Sequence, residues 1–175
     1  MKIALALLVI LTLAGCTATQ PGATATGPNP SAQKSMAPDF ELENVAGGTL
    51  KSDDLKGKVT VVDFWATWCE PCISEIPNYN ALRQSYADKG VEILGVTVES
   101  GPLKDIKPKV EELQMKYPVV VGTDKVIDGF GGLIGFPTTF IVDKDWRVYK
   151  KYLGMTHNKK EMIEKDLQKL IAEGP

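Results

Sequence analysis

Cys69 and Cys72, with two residues between them in Trp68-Cys69-Glu70-Pro71-Cys72, are the side chains of this sequence best suited to chemistry. They follow an apolar run, Val59-Thr60-Val61-Val62-Asp63-Phe64-Trp65, and precede a helical pattern. A helix beginning at Pro71, a residue tolerated in a first turn, leaves Cys69 beside backbone N–H groups that lack partners. Those donors and the helix dipole stabilise a thiolate, the nucleophile of disulfide exchange. Cys72 is then within reach to close a disulfide and release whatever Cys69 has attacked.

A structural staple and half of a zinc site are the competing uses of such a pair. Closing so short a loop restricts the unfolded chain by only about 2 kcal/mol, which makes a poor staple. Structural zinc takes four ligands, and the only other cysteine is Cys16 and the only histidine His157. No second ligand pair exists, so the reading is a redox dithiol with no metal site.

The elements that must position the dithiol alternate between strand and helix. Residues 40–42 and 49–50 flank Ala46-Gly47-Gly48 and read as a small hairpin. Residues 59–66 are almost continuously apolar, as in a strand buried on both faces of a central sheet. A helix over 71–89 places Ile73, Ile76, Tyr79, Leu82 and Tyr86 on one side, with Pro77 expected to kink it and Gly90 to end it. A strand over 91–98 follows, then a helix of about 14 residues marked by Leu103, Ile106, Val110 and Leu113. A short strand over 117–121 and a short helix over 124–130 come next. Residues 138–142 and 147–153 pair across Asp143-Lys144-Asp145-Trp146, and Ile163, Leu167, Leu170 and Ile171 define a last helix. This order predicts an α/β fold, a central mixed sheet flanked by helices on both faces. The glycines at 129, 131, 132 and 135 lack the strand-to-helix context of a phosphate loop and predict a flexible connection instead.

The N-terminus bears on where the chemistry happens. Residues 3–13 form an apolar run behind Lys2, too short for a permanent span and suited to the core of a signal peptide. The run ends in Leu13-Ala14-Gly15-Cys16, which resembles a bacterial lipobox. That resemblance implies cleavage after residue 15 and a lipidated Cys16. An ordinary secretory peptide with a free Cys16 is the alternative. Residues 17–35 are rich in Thr, Ala, Gly, Pro and Ser and read as a tether. About 20 such residues reach roughly 25 Å if glycine-like. The expected organisation is a signal peptide over 1–15, a tether over 16–35 and one domain over 36–175. The lipid membrane becomes a partner through Cys16, at the outer face of the cytoplasmic membrane or the periplasmic side of an outer membrane. A net charge of −2, from Lys+Arg 20 against Asp+Glu 22, gives no basic patch for nucleic acid.

Val62-Asp63-Phe64-Trp65-Ala66-Thr67-Trp68-Cys69 resembles the active-site strand of the thioredoxin family. Pro77 matches that family's kinking helix proline, and Gly135-Phe136-Pro137-Thr138-Thr139-Phe140 resembles the segment carrying its cis-proline. The insertion over 101–116 and the Ala37-Pro38-Asp39-Phe40 lead-in are similar to the membrane-tethered TlpA/ResA-type subgroup. The resemblance implies a thioredoxin fold with an N-terminal β-hairpin and a helical insertion. Cys69 would be its exposed nucleophile and Cys72 its buried resolving thiol. Pro137 would be the cis-proline, presenting the backbone of Phe136 to an extended substrate segment. Trp68, Pro71 and Phe136 would form an apolar rim around the sulfurs.

Two acids are candidates to exchange protons with Cys72. Asp63, in an otherwise apolar strand, resembles the family's buried acid below the dithiol. Glu75 matches the active-site glutamate of ResA-like proteins. Burial raises a carboxyl pKa toward neutrality, as a proton relay requires. Carrying both acids departs from the subgroup and leaves the relay open between them.

The resemblance implies an extracytoplasmic thiol–disulfide oxidoreductase that needs no cofactor beyond its redox-active cysteines. Its partners would be a protein disulfide, by family analogy that of apocytochrome c, and an upstream membrane thiol reductant. Reductase is favoured over oxidase, because strongly oxidising relatives carry histidine inside C-x-x-C, whereas the negative charge of Glu70 here is expected to disfavour the Cys69 thiolate. A copper-handling dithiol and a thiol peroxidase are the alternatives. The first lacks nearby His and Met, and the second lacks the P-x-x-x-T-x-x-C pattern around Cys69. His157 is expected to be exposed at the start of the last helix. Asp145-Trp146 stands where the family has Asp-Gly, which leaves the turn type there undefined.

Overall fold

A computed structural model describes residues 35–173. Cys16, with the signal peptide and nearly all of the tether expected from the sequence, lies outside the described residues. A small antiparallel hairpin, β1 (Glu41–Glu43) and β2 (Thr49–Lys51), precedes a five-stranded mixed sheet. The central strand β3 (Val59–Trp65) is buried at every residue, as its unbroken apolar character requires. The chain continues through α1 (Glu70–Tyr86), β4 (Val91–Thr97), α2 (Leu103–Glu112) and β5 (Val119–Val121). It then forms α3 (Asp124–Gly129), β6 (Thr138–Val142), β7 (Val148–Leu153) and α4 (Lys159–Ala172). The sheet order is β5-β4-β3-β6-β7. Strands β3, β4 and β5 are parallel, and β6 and β7 are antiparallel additions.

Alternation along β3 divides the core in two. Val59, Val61 and Trp65 pack with Tyr79, Leu82 and Tyr86 of α1 and with Ile163, Leu167 and Leu170 of α4. Val62 and Phe64 pack on the other side with Phe40, Val126, Phe130, Phe140 and Trp146. Burying each such aliphatic or aromatic side chain stabilises the fold by roughly 1.5–3 kcal/mol. The hairpin also covers the β5 edge, with the Val45 N–H bonded to Val119 O at 2.9 Å, so that edge is not left open for pairing.

Several boundaries differ from the sequence expectation for local reasons. Helix α1 starts at Glu70, passes Pro77 without breaking, and tightens into a 3₁₀ turn over Ala87–Lys89 before Gly90, at φ 75°, turns the chain. Helix α2 ends at Glu112, two residues before Gln114 takes a left-handed φ of 52°. The strand after it starts at Val119 because Pro118 has no N–H for a ladder. Trp146 adopts φ 60°, a conformation usually left to glycine. Its indole is 1 % exposed, lies against Phe40 and donates to Pro38 O at 3.2 Å, which offsets the backbone cost. The lead-in is fixed beside that turn: the Ala37 N–H bonds Trp146 O at 2.9 Å, and the Val148 N–H bonds Ser35 O at 2.8 Å.

Candidate active site

The β3–α1 junction makes Cys69 the N-cap of α1, in extended backbone (φ −87°, ψ 93°), with Pro71 in the first turn. Cys69 and Cys72 form a disulfide with Cα atoms 5.3 Å apart, and the Cys72 N–H points at Cys69 Sγ from 3.3 Å. An N–H aimed at the sulfur from a helix N-terminus would stabilise a thiolate after reduction.

The expected exposure of Cys69 is corrected by the structure. Cys69 is 4 % exposed and Cys72 fully buried. Both sulfurs belong to the core on the α1 face, and Phe136 packs against that core. Trp68 is the group that faces outward, at 58 % exposure, with its ring edge-to-face on Phe136 at 5.7 Å. Its Nε1 donates to Glu99 O at 2.9 Å. Ser100 Oγ accepts from the Thr67 N–H at 3.0 Å and from Thr97 Oγ1 at 2.8 Å. The dithiol loop is thereby tied to the loop after β4.

Pro137 comes to the same end of the sheet through register. Strand β6 runs antiparallel to β3 with Thr138 opposite Phe64, so Pro137 sits level with the chain leaving β3 for Cys69. The Phe136–Pro137 peptide is cis, as the resemblance implied, and Pro137 O accepts from the Gly154 N–H at 2.8 Å. Pro71 is exposed and Phe136 half-buried. The sequence reading missed the rest of the apolar surface: Ile134, Leu153 and Met155 are 83 %, 49 % and 55 % exposed. Leu153 pairs with Thr138 beside Pro137, and Met155 Sδ accepts from Ser74 Oγ at 3.2 Å. A bare isoleucine among glycines was the available signal.

The core that holds the dithiol also contains a continuous buried polar chain. Asp63 shares its side of β3 with Val61 and Trp65, and so faces α1. Its Oδ1 accepts from Thr139 Oγ1 at 2.8 Å and from Tyr79 OH at 3.1 Å. Tyr79 OH also lies 3.5 Å from Glu75 Oε2. Glu75 Oε2 in turn accepts from Lys159 Nζ at 2.7 Å, the two side chains 6 % and 4 % exposed. Burial pushes Asp63 up to about 7, against the pull of the Lys159 charge and the Thr139 hydroxyl. Burial also raises Glu75, with Lys159 opposing. Both predicted acids therefore belong to one buried cluster. Lys159, Thr139 and the hydroxyl of Tyr79 were not foreseen as its members.

Glu75 also lines a cleft of about 240 Å³ with Ser74, Asn78, Met155, Thr156 and the exposed His157. Two larger hollows, about 590 and 480 Å³, lie beyond Pro77 along α1 and beside α2 and contain none of these residues. Among the described residues, no group of three or more His, Cys, Asp and Glu is arranged to hold a metal ion. No helix among them is long and apolar enough to cross a membrane.

Residues 34–151 match the AhpC/TSA family. The chain is 36 % identical over 134 residues to the thiol-disulfide oxidoreductase ResA of Bacillus cereus, covering 77 % of this chain and 76 % of that protein. The chain belongs to the AhpC/TSA family and is a thiol–disulfide oxidoreductase of thioredoxin fold. Its fold is similar to that of a thiol:disulfide interchange protein from Chlorobium tepidum, with TM-score 0.71 and 31 % identity over 80 % of this chain and 98 % of the other. It is also similar to an exposed lipoprotein thioredoxin of Streptococcus pneumoniae, with TM-score 0.67 and 29 % identity over 76 % and 100 % of the two chains. In this family member the disulfide and the cis-proline lie at one end of the sheet, and the buried acids lie on the α1 side of its central strand.

Proposed function

We propose that the protein is an extracytoplasmic protein-disulfide reductase, held at a membrane through lipidated Cys16 and acting on exported cysteine pairs such as the haem-attachment thiols of apocytochrome c. The observation that carries the reading is the Cys69–Cys72 disulfide capping α1 beside cis Pro137. The streptococcal lipoprotein and the lipobox-like Leu13-Ala14-Gly15-Cys16 support the anchor.

In the proposed cycle, reduced Cys69 attacks a substrate disulfide as thiolate. One S–S bond breaks, a substrate thiolate leaves, and Cys69 stays joined to the other substrate sulfur. Cys72 gives its proton to a carboxylate of the buried chain and attacks Cys69 Sγ. The Cys69–Cys72 bond forms, and the second substrate sulfur leaves and takes a proton. Two electrons pass from the dithiol to the substrate, and no other cofactor enters. A membrane thiol reductant restores the dithiol. Trp68, Phe136, Ile134 and Leu153 form the surface on which an extended apolar segment would pair beside Pro137.

Cells expressing Cys72→Ser supply the test. Mixed disulfides between Cys69 and exported proteins are expected in the membrane fraction, moving to the soluble exported fraction when Cys16→Ala is added. The trapped partners should accumulate as disulfides when the protein is deleted. Partners that instead accumulate as free thiols would make it an oxidase.

A further inference from the structure

Lys159 occupies a position that is unfavourable on its own. It is the first residue of α4, where helix N–H groups and the macrodipole disfavour a cation. It is also 3 % exposed, and an ammonium out of water is costly without partners. Its partners are Glu75 Oε2 at 2.7 Å and Gly154 O at 3.2 Å. Neighbouring Lys160 is only half-buried and pairs within its own helix with Glu164 at 3.0 Å.

The charges of the cluster do not cancel. Asp63, Glu75 and Lys159 sum to −1 when both acids are ionised and to zero when one acid holds a proton. Tyr79 OH stands between the acids, 3.1 Å from Asp63 and 3.5 Å from Glu75. Lys159 touches only Glu75 of the two. We infer that Lys159 is a positioning residue for disulfide exchange: by pairing with Glu75 it keeps that carboxylate ionised and weakly basic, so Asp63 is the acid that titrates in the cluster and, once ionised, takes the proton of Cys72.

This rests on the proton-relay step proposed above. The groups facing the cluster are few. Asp63 comes from β3, Glu75, Tyr79 and Cys72 from α1, and Tyr117 from the segment before β5. His157 and Lys160 stand at the start of α4. Burial holds Tyr79 and Tyr117 well above the usual tyrosine range, so both stay neutral near pH 7. His157 lies at the exposed cleft, where solvent screens it.

The experiment is single-turnover reduction of a synthetic peptide disulfide by the full reduced chain, followed from about pH 5 to 9. The wild-type rate should inflect near the Asp63 value of about 7, and Asp63→Asn should remove that inflection. Lys159→Met should move it up by about one unit, a roughly fivefold rate loss at neutral pH. Lys159→Arg should restore it. Glu75→Gln, which leaves the cation facing Asp63 alone, should move it down, and this variant carries the test if Lys159→Met does not fold. An unmoved inflection in Lys159→Met, or an unmoved or raised one in Glu75→Gln, makes the ion pair purely structural and overturns the inference. An inflection that survives in Asp63→Asn but vanishes in Glu75→Gln gives the relay to Glu75 and overturns it too. A wild-type profile with no inflection sinks the relay step itself.

Discussion

Val62 and Phe64 point to one side of the central sheet, and Asp63, between them, points to the other. The Val62 side is sealed by aromatics: Phe130 lies 5.3 Å from Phe64 and 4.8 Å from Phe140, and Trp146 closes the same core. On the Asp63 side the apolar core under α1 and α4 is threaded by a carboxylate, two hydroxyls, a second carboxylate and an ammonium. One strand thus serves two layers with different requirements. The first only has to exclude water. The second holds a titratable group whose ionisation burial opposes.

Substitutions on the two sides should separate these roles. Cys69→Ser should abolish dithiol-dependent disulfide reduction, a loss of more than about a thousandfold, with little change in thermal unfolding. A comparable loss of fold stability would mean that the disulfide is a staple after all. Phe130→Ala, on the sealed side, should lower unfolding free energy by about 3–5 kcal/mol in denaturant titration while leaving the pH profile of exchange in place. A shifted profile would show that the two layers are coupled.

Asp63→Asn should have the opposite sign. Burial raises Asp63 from 3.8 to about 7, some three units, equivalent to about 4 kcal/mol. Between roughly pH 4 and 7 the folded protein holds a proton that the unfolded chain has lost, so stability falls as pH rises through that window and levels off above it. Asparagine keeps an acceptor for Thr139 and Tyr79 but no charge. The variant should therefore be more stable at pH 8 by about 2–4 kcal/mol, with the advantage gone near pH 4. Destabilisation at pH 8 would mean that Lys159 outweighs burial at this site.

The residues legible in the sequence were those whose meaning is local. Cys69, Cys72 and Pro71 announce themselves by spacing, and Asp63 by being charged in an apolar run. Glu75 and Pro137 were found through the family motif. Lys159 was not legible because Asn158-Lys159-Lys160 reads as an exposed helix start; only the docking of α4 beside α1 buries one lysine and spares the next. Tyr79 was read correctly as core, but its hydroxyl gains a role only from Thr139 on a strand sixty residues away. The exposure expected for Cys69 failed for a similar reason, since Phe136, from the loop before β6, packs against the core that holds it. Trp146 was ambiguous because a left-handed turn argues for glycine, and only the Phe40 segment explains why an indole is kept there.

The attachment of the lead-in has a mechanical consequence. Ser35 and Ala37 are bonded at the β6–β7 turn, and β6 then runs five residues, roughly 16 Å, to reach Pro137. A pull applied to the chain at Ser35 would therefore load the β6–β7 turn first, at the pole of the sheet away from Pro137 and the sulfurs, and would reach the dithiol only through the length of β6.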